Sequence, residues 1–228
     1  MQPTVGSMTT TEQGSGRRYR GVSEQDRKEE RRLKFIQAAT ELFGTKGYHG
    51  ATVRSICQAA GITERYFYES FANSEDLFCA TYEHLINELR MTLLAATQEV
   101  EGGPEAVARR VLTAFYGFMK ARPLAARITF IEVLGVSPRV DELYRSTTEG
   151  FARLLLMVAK ALYVRQVPDE DYNEEWLATG VVGAVVVITH RWVLEDFKTP
   201  TEIVVHNAYG IFRAVIRQWL DVPPETAS

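Results

Sequence analysis

The chain has 228 residues, 46% hydrophobic and 24% charged, with a formal net charge of −3. That balance excludes a disordered or fibrous chain and fits one large domain or two modest ones. The longest apolar run, residues 181–188, falls far short of the roughly 20 residues of a membrane-spanning helix. No secretory leader pattern opens the chain, and Cys57 and Cys79 lack metal or disulfide spacing, so a cytoplasmic protein with reduced thiols and no membrane partner is expected.

Charge is unevenly placed. Residues 17–71 carry eleven Lys and Arg against seven Asp and Glu, whereas the remainder is acidic. A basic front end on an acidic body hints at nucleic-acid contact at the front.

Residues 1–22 are Gly-, Ser- and Thr-rich and predict a disordered arm made basic by Arg17, Arg18 and Arg20; residues 1–8 could be a cloning remnant. From Ser23 the pattern turns helical. Ser23 and Asp26 form an N-cap with an acidic first turn, and Ile36, Ala39, Leu42 and Phe43 make an apolar face. The glycine-rich stretch GTKGYHG ends this helix. Thr52 caps a short second helix with Val53, Ile56 and Ala60 inward, closed by Gly61; Thr63 caps a third that runs to about Phe71. Asn73 caps a long fourth helix toward Gln98. Further helices are expected over residues 104–122, 123–135, 138–164, 173–197 and 202–220, followed by a disordered tail at 221–228. The fold class is all-α, of about nine helices. It divides into a helix-turn-helix domain at 23–72 and a helical body at 73–220.

Two short helices joined by AAGIT read as a helix-turn-helix, whose second helix would enter the major groove. Tyr66, Phe67, Tyr68 and Phe71 crowd six positions of that helix among Glu64, Arg65, Glu69 and Ser70. This is the mixture a DNA-reading surface needs, with rings to anchor and polar groups to bond bases and phosphates.

The stretch from Ala38 to Phe78 resembles the N-terminal domain of TetR-family transcriptional regulators. The resemblance rests on Gly47–Tyr48, Thr52, Ala60–Gly61, Tyr68 with Phe71, and Glu75 with Leu77. It implies that Arg54, Glu64, Arg65 and Tyr66 face the groove and that Lys46, Tyr48, Thr52 and Tyr68 touch phosphate. Thr63 and Ser70 complete the expected DNA-binding set. Two positions depart from the pattern: Ser70 replaces a usual His, and Ser74 a frequent Lys, so the phosphate grip is lighter. The basic arm could compensate in the minor groove.

The resemblance places a homodimer seam on the last two helices, with Gly180, Gly183, Ala184, Val187, Phe212, Val215, Ile216 and Trp219 as its residues; the other reading is that these helices only close the subunit core. The middle helices are expected to hold a small-molecule pocket lined by Phe115, Met119, Phe130, Phe151 and Leu155, with His84, Arg127 and His190 as polar contacts. The function expected is a homodimeric repressor released from a palindromic operator by a hydrophobic or amphipathic effector. The alternative is an all-α interaction module with a vestigial helix-turn-helix. No catalytic or metal-binding spacing appears among His49, His84, His190 and His206, so neither enzyme activity nor a cofactor or metal is expected.

Overall fold

The computed structural model describes residues 23–98, 102–162 and 173–220, the side chains of 162 and 216–220 excepted. The described residues form nine α-helices and one turn of π-helix. The basic arm, the tail, and the side chains of Ile216 and Trp219 lie outside the described residues.

Helix α1 (Glu24–Lys46) opens on a reciprocal cap between Ser23 and Asp26. It packs on α2 (Val53–Ala60), α3 (Glu64–Ser70) and the first half of α4 (Ser74–Thr97). Thr52 and Ser55 cap α2 reciprocally, and Gly61 ends it at φ 67°, a left-handed corner that only glycine adopts without strain. Thr63 occupies the N-cap position of α3, but its hydroxyl makes no capping bond. The expected cap is present in position only.

What holds α3 is aromatic. Phe67 and Phe71 are buried, and Phe35 of α1 meets their rings edge-on at 5.6 and 6.1 Å. The same core continues through Phe43, Tyr48 and Phe78, and takes in Ala125, Ile128, Val133 and Val140 from the body. The start of α4 is pinned twice. Asn73 accepts from the Asp76 N–H at 2.8 Å, and Arg139 donates to the Asp76 carboxylate at 3.0 Å. That bond, together with the Ala72 N–H, keeps the Asp76 carboxyl below its ordinary range.

The body comprises the rest of α4, α5 (Gly103–Ala121), α6 (Pro123–Arg127), α7 (Pro138–Leu162), α8 (Glu174–Leu194) and α9 (Thr201–Leu220). A second core joins α4, α5, α8 and α9 around Tyr116, Met119 and Trp192. Two expected helices end differently. The one expected over 123–135 stops being α-helical at Ile128: residues Ile128–Glu132 form a π-turn in which the Val133 N–H reaches Ile128 O, five residues back, at 3.1 Å. Helix α8 stops at Leu194 rather than 197, because Asp196 and Phe197 turn left-handed (φ 53° and 55°) and the Phe197 N–H returns to Trp192 O. Of the described helices, α8 is the one long and apolar enough to cross a bilayer. Ala178, Val181, Trp192 and Val193 on one side of it are buried within the subunit.

The division of labour among the α3 rings predicts opposite responses to truncation. Phe67→Ala should lower stability by about 3–5 kcal/mol. Tyr68→Ala, at a ring 59% exposed, should change it by less than about 0.5 kcal/mol. Urea unfolding of the two variants is the measurement.

Candidate functional site

Once Phe67 and Phe71 are fixed inward, the helical period turns the remaining α3 side chains out. Glu64, Arg65, Tyr66, Tyr68 and Glu69 are all exposed. Arg65 lies 3.3 Å from Glu69, but its side chain is 85% exposed. Such a pair holds only a few tenths of a kcal/mol and yields readily to a stronger partner. Lys46, Thr52 and Arg54 are exposed around the same surface, and neither Lys46 nor Arg54 has an ion-pair partner among the described residues. Tyr48 differs from these. Its ring is half-buried between Phe43 and Phe78, and burial raises its pKa. The Ser70 hydroxyl donates to Tyr66 O, and its carbonyl accepts from Arg32.

Two basic residues belong to this surface that sequence reasoning passed over. The Arg31 guanidinium stacks 4.6 Å from the Tyr66 ring centroid, and Arg32 stacks likewise on Phe71. Their helix places both beside α3, and Arg32 reaches the Ser70 carbonyl, at the position that lacks a cationic side chain. The signal was the basic run in the first half of α1, which reads on its own as a solvated face.

The second feature is a cavity of about 190 Å³ among α4, α5, α7, α8 and α9. An engineered apolar void of about 150 Å³ stays dry and accepts benzene, so this one is large enough for a short hydrocarbon segment. Phe115, Phe130, Phe151 and Leu155 line it together with Leu89, Leu112, Val181 and Val185, and among the described residues no charged side chain does. Thr97, Thr129 and Thr148 line it too, but donate their hydroxyls to carbonyls of their own chain turns. The polar part of the wall is a hydroxyl corner of Tyr82, Tyr144 and Thr147. Burial pushes both phenols up.

The cavity corrects several sequence expectations. His84 sits outside it, 3.9 Å from Glu88. Arg127 turns away to pair with Glu132 at 3.0 Å. Met119 is packed into the second core, and His190 does not reach the lining. Phe212 and Val215, expected at a dimer seam, line the cavity instead, because α9 presents that side to its own subunit. Gly180 and Val187 are exposed, and Gly183 and Ala184 half-exposed. Among the described residues, no group of three or more His, Cys, Asp or Glu is placed to hold a metal ion.

Residues 35–81 match the family described as bacterial regulatory proteins, tetR family. The chain is 23% identical over 169 residues to the HTH-type transcriptional activator FasR of Mycolicibacterium smegmatis, covering 74% of this chain and 75% of that one. It is 28% identical over 134 residues to the HTH-type transcriptional regulator BetI of Brucella anthropi, covering 58% of this chain and 63% of BetI. Among solved structures, the fatty acid degradation regulator FadR of Bacillus halodurans superposes with a TM-score of 0.70 at 18% identity, covering 82% of this chain and 96% of FadR. FadR of Bacillus subtilis, solved in complex with stearoyl-CoA, gives 0.67 at 15% identity, covering 78% of this chain and 96% of its own. Residues 35–81 are thus a DNA-reading domain of the tetR family of bacterial regulatory proteins, and the chain as a whole shares its fold with regulators of that kind.

Proposed function

We propose that the protein is a homodimeric repressor that binds a two-fold DNA site through α3 and is released when a molecule with an apolar chain enters the cavity. The observation that carries the DNA half is the outward set of Glu64, Arg65, Tyr66 and Tyr68 on a helix anchored from behind by Phe67. Arg65 is placed to read a guanine edge, while Tyr68, Thr52 and Lys46 fit phosphate contacts. Arg31 and Arg32 supply positive charge beside them.

The dimer reading rests on a stripe along α8. Trp176, Gly180, Val187 and Leu194 recur at helical spacing and are exposed, with Trp176 at 77%. A Cβ added at Gly180 or Gly183 would meet nothing within the subunit, so those small residues serve no packing of their own chain. Ile203 and Ile211 extend an exposed apolar face onto α9. A second copy burying both faces would carry two recognition helices, as two-fold operators require.

The effector reading rests on the uncharged wall with its single hydroxyl corner. That chemistry suits a saturated chain with one polar end, and the stearoyl-CoA complex of a protein sharing this fold agrees with it. The effector must bind the DNA-incompetent arrangement more tightly than the other.

The DNA half is tested by mobility shift on the DNA flanking the protein's own gene. Binding should weaken steeply as salt rises. Arg65→Ala should cost about 1–3 kcal/mol on the specific site and much less on random DNA. Equal losses on both would remove Arg65 from base reading. For the assembly, Val187→Glu should convert a dimer to a monomer in light scattering, with operator affinity falling accordingly. An unchanged dimer would move the seam elsewhere. For the effector, dodecanoate or its CoA thioester at about 100 times Kd should add about 2.7 kcal/mol of stability. Val185→Trp, which fills the cavity, should weaken that binding at least tenfold by displacement of a fluorescent fatty acid.

A further inference from the structure

We propose that the π-turn at Ile128–Glu132 relays cavity filling to the DNA-reading domain, and that Glu132 is its latch. The inference rests on the effector reading above and names how that site communicates.

Five consecutive residues face three ways. Ile128 and, just beyond the turn, Val133 are fully buried in the core that supports α1 to α3. Thr129 and Phe130 line the cavity. The Glu132 carboxylate reaches the corner between α1 and α2. One oxygen accepts the Tyr48 N–H at 3.2 Å, and the other accepts from Arg127 at 3.0 Å. The corner is shaped to receive it: Gly47 has φ +75°, and a Cβ there would lie 2.8 Å from the Glu132 oxygen. Any side chain at position 47 would push the carboxylate away and strain the backbone as well. From that corner the chain runs directly into Thr52, the cap of α2, while the Tyr48 ring is wedged between Phe43 and Phe78.

A π-turn carries one residue more than the α-helical ladder accommodates. It is therefore a place where a helix can reset its register by a small rotation. In this turn no such reset can be local. Moving Phe130 to admit a ligand rotates Glu132 on the same turn, and Glu132 holds the entrance to the helix-turn-helix. Helix α4 offers a parallel route, since it lines the cavity and starts beside Phe71. The π-turn differs in gripping the opposite end of the DNA-reading unit, at a backbone amide.

The test measures operator affinity of the full chain with and without saturating dodecanoate or dodecanoyl-CoA, and takes the ratio. Glu132→Ala should reduce the wild-type ratio by about fivefold or more, leave the Kd of the probe for DNA-free protein within about twofold, and speed Tyr48 amide exchange at least tenfold without changing global stability. Glu132→Gln retains a carbonyl oxygen for the Tyr48 N–H and should retain the ratio. A Glu132→Ala protein that responds as the wild type does overturns the relay while sparing the effector reading, and loss of response in both variants overturns the hydrogen-bond latch. A wild-type ratio of one with both probes overturns the effector reading and the relay together.

Discussion

The packing of Phe35 against Phe67 and Phe71 is the contact on which the rest depends. Helix α3 has seven residues, far below the roughly 12–15 at which an isolated helix becomes even marginal in water. It lacks a side-chain cap as well. Its helicity therefore comes from two rings, four residues apart, seated on α1. Because those rings set the rotation of α3 about its axis, they also decide which side chains face outward. The chemistry of Arg65, Tyr66 and Tyr68 is available because Phe67 and Phe71 are not.

The same economy runs through the body. Residues 123–140 serve two cores at once: Ala125, Ile128, Val133 and Val140 belong to the DNA-side core, while Ala126 and Phe130 belong to the other. Helix α6 lies so close to α1 that a Cβ at Gly44 would meet the Leu124 Cβ at 2.7 Å. The body and the reading domain are thus joined by shared packing rather than by a loose linker. Helix α8 is likewise two-sided, with Val181 and Trp192 turned into the subunit and Trp176 and Val187 left outside.

Local signals made the front of the molecule legible in the sequence. The caps at Ser23, Thr52 and Asn73 involve residues three apart, and the aromatic spacing of α3 is a one-helix pattern. The body was legible as helices but not as surfaces. Whether Phe212 faces a partner subunit or a cavity depends on the rotation of α9 relative to α5 and α8, which helix period alone does not set. His84 and Arg127 looked like ligand contacts because a charged group in an aromatic stretch stands out. Glu88 and Glu132, which hold them elsewhere, lie only four and five residues further along the chain, so local pairing was the signal that the more conspicuous aromatic setting obscured. The π-turn had no signature, since residues 128–132, with Ile128, Phe130 and Ile131 apolar and Thr129 and Glu132 polar, suit an ordinary helix. Arg31 was hidden for the opposite reason: among so many charges on α1, stacking on a ring 35 residues away left no trace.

The central claim is that paired α3 surfaces read a two-fold DNA site. A hydroxyl-radical footprint on the DNA flanking the protein's own gene tests it most directly. The account predicts two protected segments, related by a dyad and separated by about one helical turn or a multiple of it. A single protected segment, or uniform weak protection along the fragment, would contradict it.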